Sequence, residues 1–288
     1  MARPLAARPG RRGLALLALA ALGAAMLLQA RIDARAAGRP EIHPLLYLPS
    51  GRYLKLVSLG FDGPVADLIF LWSIQYYGNY AIEDRYRYLE QIYDRVIAEL
   101  DPHYIDPYLI GSLIMNVEAH QPEQALRLLD KGMARNPDRW ILAFEAGFIC
   151  YSDLHDYPCA AAYFEKALRA PDVHPLVRRL HAQMYARAGD KRTSLQEWMT
   201  IHDTSDDEYV RTVAWNHVHD LKVDVDLDDL RAAIDRFQGD QGRPPRALGE
   251  LAAAGLLAAM PLDPEGRDYT YAPATGEVGY RGSLVMAR

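Results

Sequence analysis

The apolar positions of this chain fall into two kinds of pattern. Near the N-terminus they run unbroken: "LALLALAALGAAMLLQA", residues 14–30, carries no charge and follows Arg3, Arg8, Arg11 and Arg12. At 1.5 Å per residue such a helix spans roughly 25 Å, near the short limit for a bilayer. The next apolar run, "GPVADLIFLWSIQYYGNY" at 63–80, is different, because Asp67 interrupts it and Asp62 stands just before it. Its uncharged part is too short to span, and a carboxylate in mid-bilayer is expensive. Val65, Leu68, Ile69, Trp72 and Tyr76 recur at helical spacing. That spacing predicts a helix over 63–78 that buries this face and stays outside the membrane.

Beyond it the pattern is helical and it repeats. Ser112, Gly147 and Ala182 stand 35 residues apart, as do Ala125 and Ala160. Pro102 and Pro137 are also 35 apart, and Pro171 follows 34 later. The segments between read as three helix pairs: 105–118 with 122–135, 140–152 with 157–169, and 175–188 with 191–202. Small residues let paired helices approach, and the prolines end one pair and open the next.

After about Lys222 the pattern changes again. "VDVDLDDLRAAIDRF" predicts a helix with acidic residues at its start, where the helix dipole favours them. Its apolar face is Leu227, Leu230, Ile234 and Phe237. Pro244 and Pro245 precede a short helix at 247–254 that Gly255 ends. Tyr269 and Tyr271 alternate before "APATG", and Val278 and Tyr280 after it, which predicts a hairpin.

The expected fold is mainly α. It has an N-terminal transmembrane helix, an α-solenoid of helical hairpins, and a small C-terminal α+β minidomain with a β-hairpin. The expected divisions are a basic leader at 1–13, an anchor or signal peptide at 14–30, a linker at 31–46, helical repeats at 47–222 and the minidomain at 223–288. The basic leader keeps the N-terminus cytoplasmic. The bulk of the chain is then expected in the periplasm, held to a bacterial inner membrane by one pass through residues 14–30. A cleaved signal peptide is the alternative. The run is long for one, and the best small-x-small site, Ala34-Arg35-Ala36, lies past a charged stretch.

Composition narrows the function. A net charge of −6 argues against broad binding to nucleic-acid phosphates. Cys150 and Cys159 are too few for a disulfide framework or a zinc site. They lie symmetrically about the turn at Leu154–His155, so either a disulfide across the hairpin or two buried thiols fits. Tyrosines crowd between Tyr76 and Tyr108; ordinary half-buried helix packing is the simpler reading and an interface the alternative.

The middle of the chain resembles the tetratricopeptide repeat family. "ALRLLDKGMARNP" supplies Ala125, Leu129, Gly132 and Pro137 at that family's positions, and "AAAYFEKALRAP" supplies Ala160, Phe164, Ala167 and Pro171. The third pair is weaker, with Ser194 or Leu195, Trp198 and Ile201. The resemblance covers about residues 85–205. It implies that the first helix of each pair lines a groove for a partner peptide or protein. In that register the groove residues are Asn116, Phe144, Phe148, Tyr151, Arg179 and Gln183, a face suited to apolar side chains and one acidic group. The bland alternative makes Phe144 and Phe148 core and Arg179 a solvated charge. "YLPSGRYLKLVSLGFDGPVADLIFLWSIQYYG" is similar to the leading segment of some bacterial membrane-anchored repeat proteins.

The tail resembles the C-terminal part of type II secretion major pseudopilins. Gly242, Arg243, Pro245, Leu248, Leu251, Pro261, Asp263, Pro264, Gly266, Tyr269 and Tyr271 carry the likeness. The pilin peptidase site and the acidic calcium loop are missing, so the resemblance implies neither a pilus subunit nor a bound metal.

No catalytic constellation stands out. His217 and His219 lie two apart on a predicted helix and point to different faces. "HDTSDDEY", 202–209, reads as a helix start at Thr204 or Ser205. "VDVDLDD" lacks the glycine and distant Glu of a calcium loop. There is no phosphate loop or nucleophile motif. The expectation is a non-enzymatic interaction scaffold of the bacterial cell envelope, without cofactor, metal or nucleic acid. Its protein partner would belong to a secretion or type IV pilus-related system. The alternatives are an enzyme or enzyme subunit of envelope polymer metabolism, and an assembly factor for another membrane complex.

Overall fold

The computed structural model describes residues 11–36 and 48–286, and within its first helix the side chains of residues 19–32. Residues 1–10 of the leader and 37–46 of the linker lie outside them. So do the side chains of 14–18 and of Ala34, Arg35 and Ala36. Two compact units are formed, Met1–Pro49 and Ser50–Arg288.

In the first unit, α1 (Arg11–Ala36) contains the whole apolar run. Leu19, Leu22, Met26, Leu27 and Leu28 are all exposed on it. Among the described residues no helix is long and apolar enough to cross a membrane.

The second unit is mainly α with one small antiparallel sheet. It opens with α2 (Gly51–Val57) and α3 (Asp62–Tyr77). Both pack on a helical segment that is π-wound at Glu90–Ile97 and continues as α4 (Ala98–Leu100). Gly51 is required there, since a Cβ would stand 2.4 Å from the Val96 carbonyl oxygen. α3 buries Ala66, Phe70, Ser73, Tyr76 and Tyr77. Phe70 meets Tyr93 and Tyr104 edge-on, Tyr77 stacks on Tyr93 at 5.9 Å, and the Ser73 hydroxyl donates to Tyr93 Oη at 3.1 Å. Burial pushes the Tyr93 hydroxyl up to about 12, so it stays protonated.

This corrects the face expected for that helix. Leu68 is 68% exposed and Trp72 37%, while only Tyr76 of the expected stripe is buried. The reason is that α3 is apolar nearly all round, so periodicity alone could not choose the inner side. What fits the π-wound segment chose it: Phe70 and Tyr77 pack on the Tyr93 ring, and Ser73 meets the Tyr93 hydroxyl. Leu68, Leu71 and Trp72 are left outward on α3, as are Tyr53, Leu56, Leu59 and Phe61 on α2 and the loop after it.

A helical repeat-like array follows. α5 (Asp106–Leu113) continues as a π-turn, Ile114–Glu118, and pairs with α6 (Pro122–Arg135). α7 (Trp140–Ser152) pairs with α8 (Tyr157–Leu168), and α9 (Pro175–Arg187) with α10 (Lys191–Thr204). The small residues at the repeat positions do what their size allows. A Cβ on Gly147 would lie 2.7 Å from Phe164 Cδ1, and one on Gly132 would lie 2.9 Å from Tyr108 Cδ1. Proline opens α6 in its first turn, where no N–H bond is lost. Asp156 and Asp190 cap α8 and α10, accepting from the N–H of Cys159 and Thr193 at 3.0 Å each.

α11 (Glu208–Gln241) is one 34-residue helix, so the expected boundary at 222/223 falls inside it. The expected helix start at "VDVDLDD" is therefore corrected: Asp207 is the N-cap, accepting from Tyr209 N–H at 2.8 Å and Val210 N–H at 3.3 Å. No proline interrupts 208–241. The acidic residues sit in mid-helix because cations meet them there: Lys191 pairs with Asp228 at 2.6 Å, Arg192 with Asp229, and Lys222 with Asp226. Gly242, at φ 68°, ends the helix in the left-handed region.

The tail folds back on this helix. α12 (Gly249–Ala253) and the hairpin β1 (Thr270–Ala272) and β2 (Glu277–Gly279) follow, with Tyr271 opposite Val278. Leu230, Ile234, Phe237, Leu251, Tyr269 and Val278 form the shared core.

Candidate functional site

The clearest feature of the array surface is a row of rings along α7. Trp140 meets Phe144 at 5.8 Å, Phe144 stacks with Phe148 at 6.2 Å, and Phe148 meets Tyr151 edge-on at 6.0 Å. Tyr151 then reaches Tyr157, the first residue of α8, at 6.4 Å. The spacing 140, 144, 148, 151 is the helical i, i+4, i+8, i+11 stripe, which explains the row. The inner edge of the row is core, since Phe144 also packs on Phe164 at 6.0 Å. Its outer edge is not: Phe148 is 42% exposed.

α9 contributes a cation to this row, though not the one expected. The Arg187 guanidinium lies 5.5 Å from the Tyr151 ring centre and 5.6 Å from that of Tyr157. Stacked over two rings, it carries positive charge to the end of an apolar strip. Sequence reasoning missed Arg187, because the rings it covers, Tyr151 and Tyr157, belong to other helices.

Of the six groove residues expected, the structure brings Phe144, Phe148 and Tyr151 together. Asn116 is placed elsewhere: it lies in the π-turn after α5 and is buried at 8% exposure, which corrects its expected place on the surface. The π-turn shifts the helical register just where that residue sits. Gln183 and Arg179 are half-buried, and among the described residues no ring contact, hydrogen bond or ion pair joins them to the α7 row.

Cys150 and Cys159 are bonded, with Cα atoms 5.8 Å apart. The bond ties the end of α7 to the start of α8, beside Tyr151 and Tyr157, and so fixes the two rings that Arg187 covers. Alkylation of the unfolded chain should add no mass before reduction and two labels after it. Two labels without reductant would remove the bond.

The two histidines expected on different faces of a helix are so placed. His217 stacks on Trp198 at 4.0 Å, and burial pushes its pKa down. His219 is held between carboxylates, Nδ1 to Asp220 at 2.8 Å and Nε2 to Glu265 at 2.9 Å. Tyr280 donates to Glu265 at 2.9 Å, and Asp220 accepts from the N–H groups of Val285 and Met286, both at 2.8 Å. This cluster stitches the tail to α11.

Compared with known proteins, the chain matches no family model and no curated protein.

Proposed function

We propose that this chain is a non-enzymatic scaffold of the bacterial cell envelope that binds a protein or peptide partner along the α7–α9 face. The observation that carries the reading is the ring row from Phe144 to Tyr157 with Arg187 over its end. A half-buried aromatic strip, exposed at Phe148 and capped by one fixed cation, suits a segment with apolar side chains and an acidic group. The likeness of the array to tetratricopeptide repeats supports the same use. That of the tail to pseudopilin minidomains favours a secretion or type IV pilus-related system.

Two observations support placement in the envelope with a single anchor at 14–30. The run at 14–30 carries no charge, and its described leucines and methionine are exposed on α1. The Cys150–Cys159 bond fits an oxidising compartment on the far side of that membrane.

The test is crosslinking and affinity capture from native membranes, comparing the full chain with its Phe148→Ala, Tyr151→Ala variant. Loss of ring anchors of this kind weakens binding about thirtyfold, so secretion or pilus components captured by the parent should disappear. If both chains capture the same proteins, the α7–α9 face is not the binding surface. The outward apolar residues of α2 and α3 then become the place to look.

A further inference from the structure

A second site lies where α8, α9, α10 and α11 meet at their ends. It is a cleft of about 330 Å³ lined by both apolar and basic residues. Leu168, Val173, Pro175, Ile201 and Val210 are its apolar lining. Arg178, Arg179, His174, Thr204 and Ser205 are its polar lining, and among the described residues no carboxylate lines it.

The cations of this cleft are not consumed by the fold. Elsewhere in the array and tail, cations such as Lys131, Lys191, Arg192 and Arg267 are paired with carboxylates. Neither Arg178 nor Arg179 has an ion pair or hydrogen bond among the described residues. Arg179 Nε is moreover shielded from solvent with no acceptor in reach. A half-buried guanidinium with no carboxylate beside it keeps its charge unneutralised by the protein, which favours an anion from outside. His174 adds a third donor. Its Nδ1 accepts the Leu176 N–H at 3.1 Å, so in the neutral ring the proton is on Nε2. The ring is steadied by Trp140 at 6.4 Å.

We propose that this cleft binds an oxyanion, a carboxylate or a phosphate, carried on a short apolar stem. The two guanidiniums take the anion through the terminal N–H groups of their forks. His174 Nε2–H closes the third side, and the stem lies against Val173, Ile201 and Val210. The volume fits a ligand of small-molecule size. The site adjoins the start of the α7 ring row, where Trp140 meets His174, but does not rest on the scaffold reading. Ligand in the cleft would bridge α9 to the start of α11.

The experiment is calorimetric titration of the full chain with hexanoate, hexyl phosphate, inorganic phosphate and hexanol. Saturable binding is expected for hexyl phosphate or hexanoate, and whichever binds more tightly names the source of the anion. Inorganic phosphate and hexanol should each bind at least about tenfold more weakly, because each lacks half of the chemistry. Arg179→Met should weaken the better ligand about tenfold or more, and Arg179→Lys less, since it keeps charge but loses the fork. Far-ultraviolet circular dichroism of each variant must match the parent. Should Arg179→Met fail to fold, the more exposed Arg178→Met carries the same test. No saturable binding by either amphiphile overturns the proposal, as does equal affinity in a folded Arg179→Met or Arg178→Met chain. Inorganic phosphate binding as tightly as hexyl phosphate overturns the apolar half of the site.

Discussion

Phe164→Ala should destabilise the unit from Ser50 to Arg288 by about 3–5 kcal/mol in urea unfolding, among the largest losses any single truncation can give here. Phe164 is fully buried, at 0% exposure, at the join of α7, α8 and α9. Its ring faces Gly147 so closely that any Cβ there would overlap it, and it packs with Phe144 and the cluster containing Val177 and Met184. The complementary change, Gly147→Leu, should also destabilise, by about 3 kcal/mol, because a well-packed ring has nowhere to move. Helix propensity runs the other way, since glycine is about 1 kcal/mol poorer than alanine in a helix, and overlap at 2.7 Å outweighs it. The two changes should not add. In Phe164→Ala, Gly147→Leu the leucine enters the space the ring leaves, so the double variant should lie about 2 kcal/mol or more above the sum of the singles. Simple additivity would mean that the two residues do not share one contact, and the account of the repeat's small position would be wrong.

That contact also shows which parts of the fold were legible beforehand. The register of Gly147 against Phe164 is written in the spacing of small and large residues, and the helix pairs from 122 to 204 follow it within a few residues. The hairpin at Tyr271 and Val278 is written equally plainly, because alternation flanks a turn. Two elements were not legible. α3 carries apolar residues around its whole circumference, so its inner face depends on which tyrosines find partners in a helix twenty residues away, as Ser73 and Tyr93 do. α11 looked like two helices because an acidic run resembles a helix start. Only the approach of Lys191 and Arg192 from α10 shows why the charges are at home in mid-helix. Function follows the same division. The ring row of α7 is a local stripe, and the repeat resemblance already placed Phe144, Phe148 and Tyr151 on one face. The Arg187 cap and the arginine cleft need residues from separate helices to meet, and no single stretch of sequence announces them.

The second large effect concerns the tail. His219→Gln should loosen the segment from Glu265 to Met286 by about 2 kcal/mol and remove most of its pH dependence above neutrality. His219 is buried, which disfavours its charge, yet its hydrogen bonds to Asp220 and Glu265 outweigh burial and its pKa is raised. Glu265 is held at about 2, chiefly by the bond from His219 and then by Tyr280 and Arg267. Asp220 is also low: burial opposes this, but the N–H groups of Val285 and Met286 and the imidazole prevail. Arg267 bonds Asp263 and Glu265, and Lys222 pairs with Asp226, so the remaining charges around the cluster are already matched. The raised histidine contributes stability that is fully present below its unfolded value of about 6.5 and is lost as pH rises through the folded value. The depressed carboxylates contribute stability present above about 4.3 and lost as pH falls toward their folded values. The tail should therefore be held most firmly between about pH 4.5 and 6.5. Hydrogen exchange at the Val285 and Met286 amides reads this directly, because both donate to Asp220. Their protection should peak in that window and decline toward pH 8 in the parent, after correction for intrinsic exchange. In His219→Gln the decline above pH 6.5 should vanish, while the part of the acid limb that Asp220 owes to the Val285 and Met286 N–H groups remains. An unchanged alkaline limb in that variant would show that another group holds the tail.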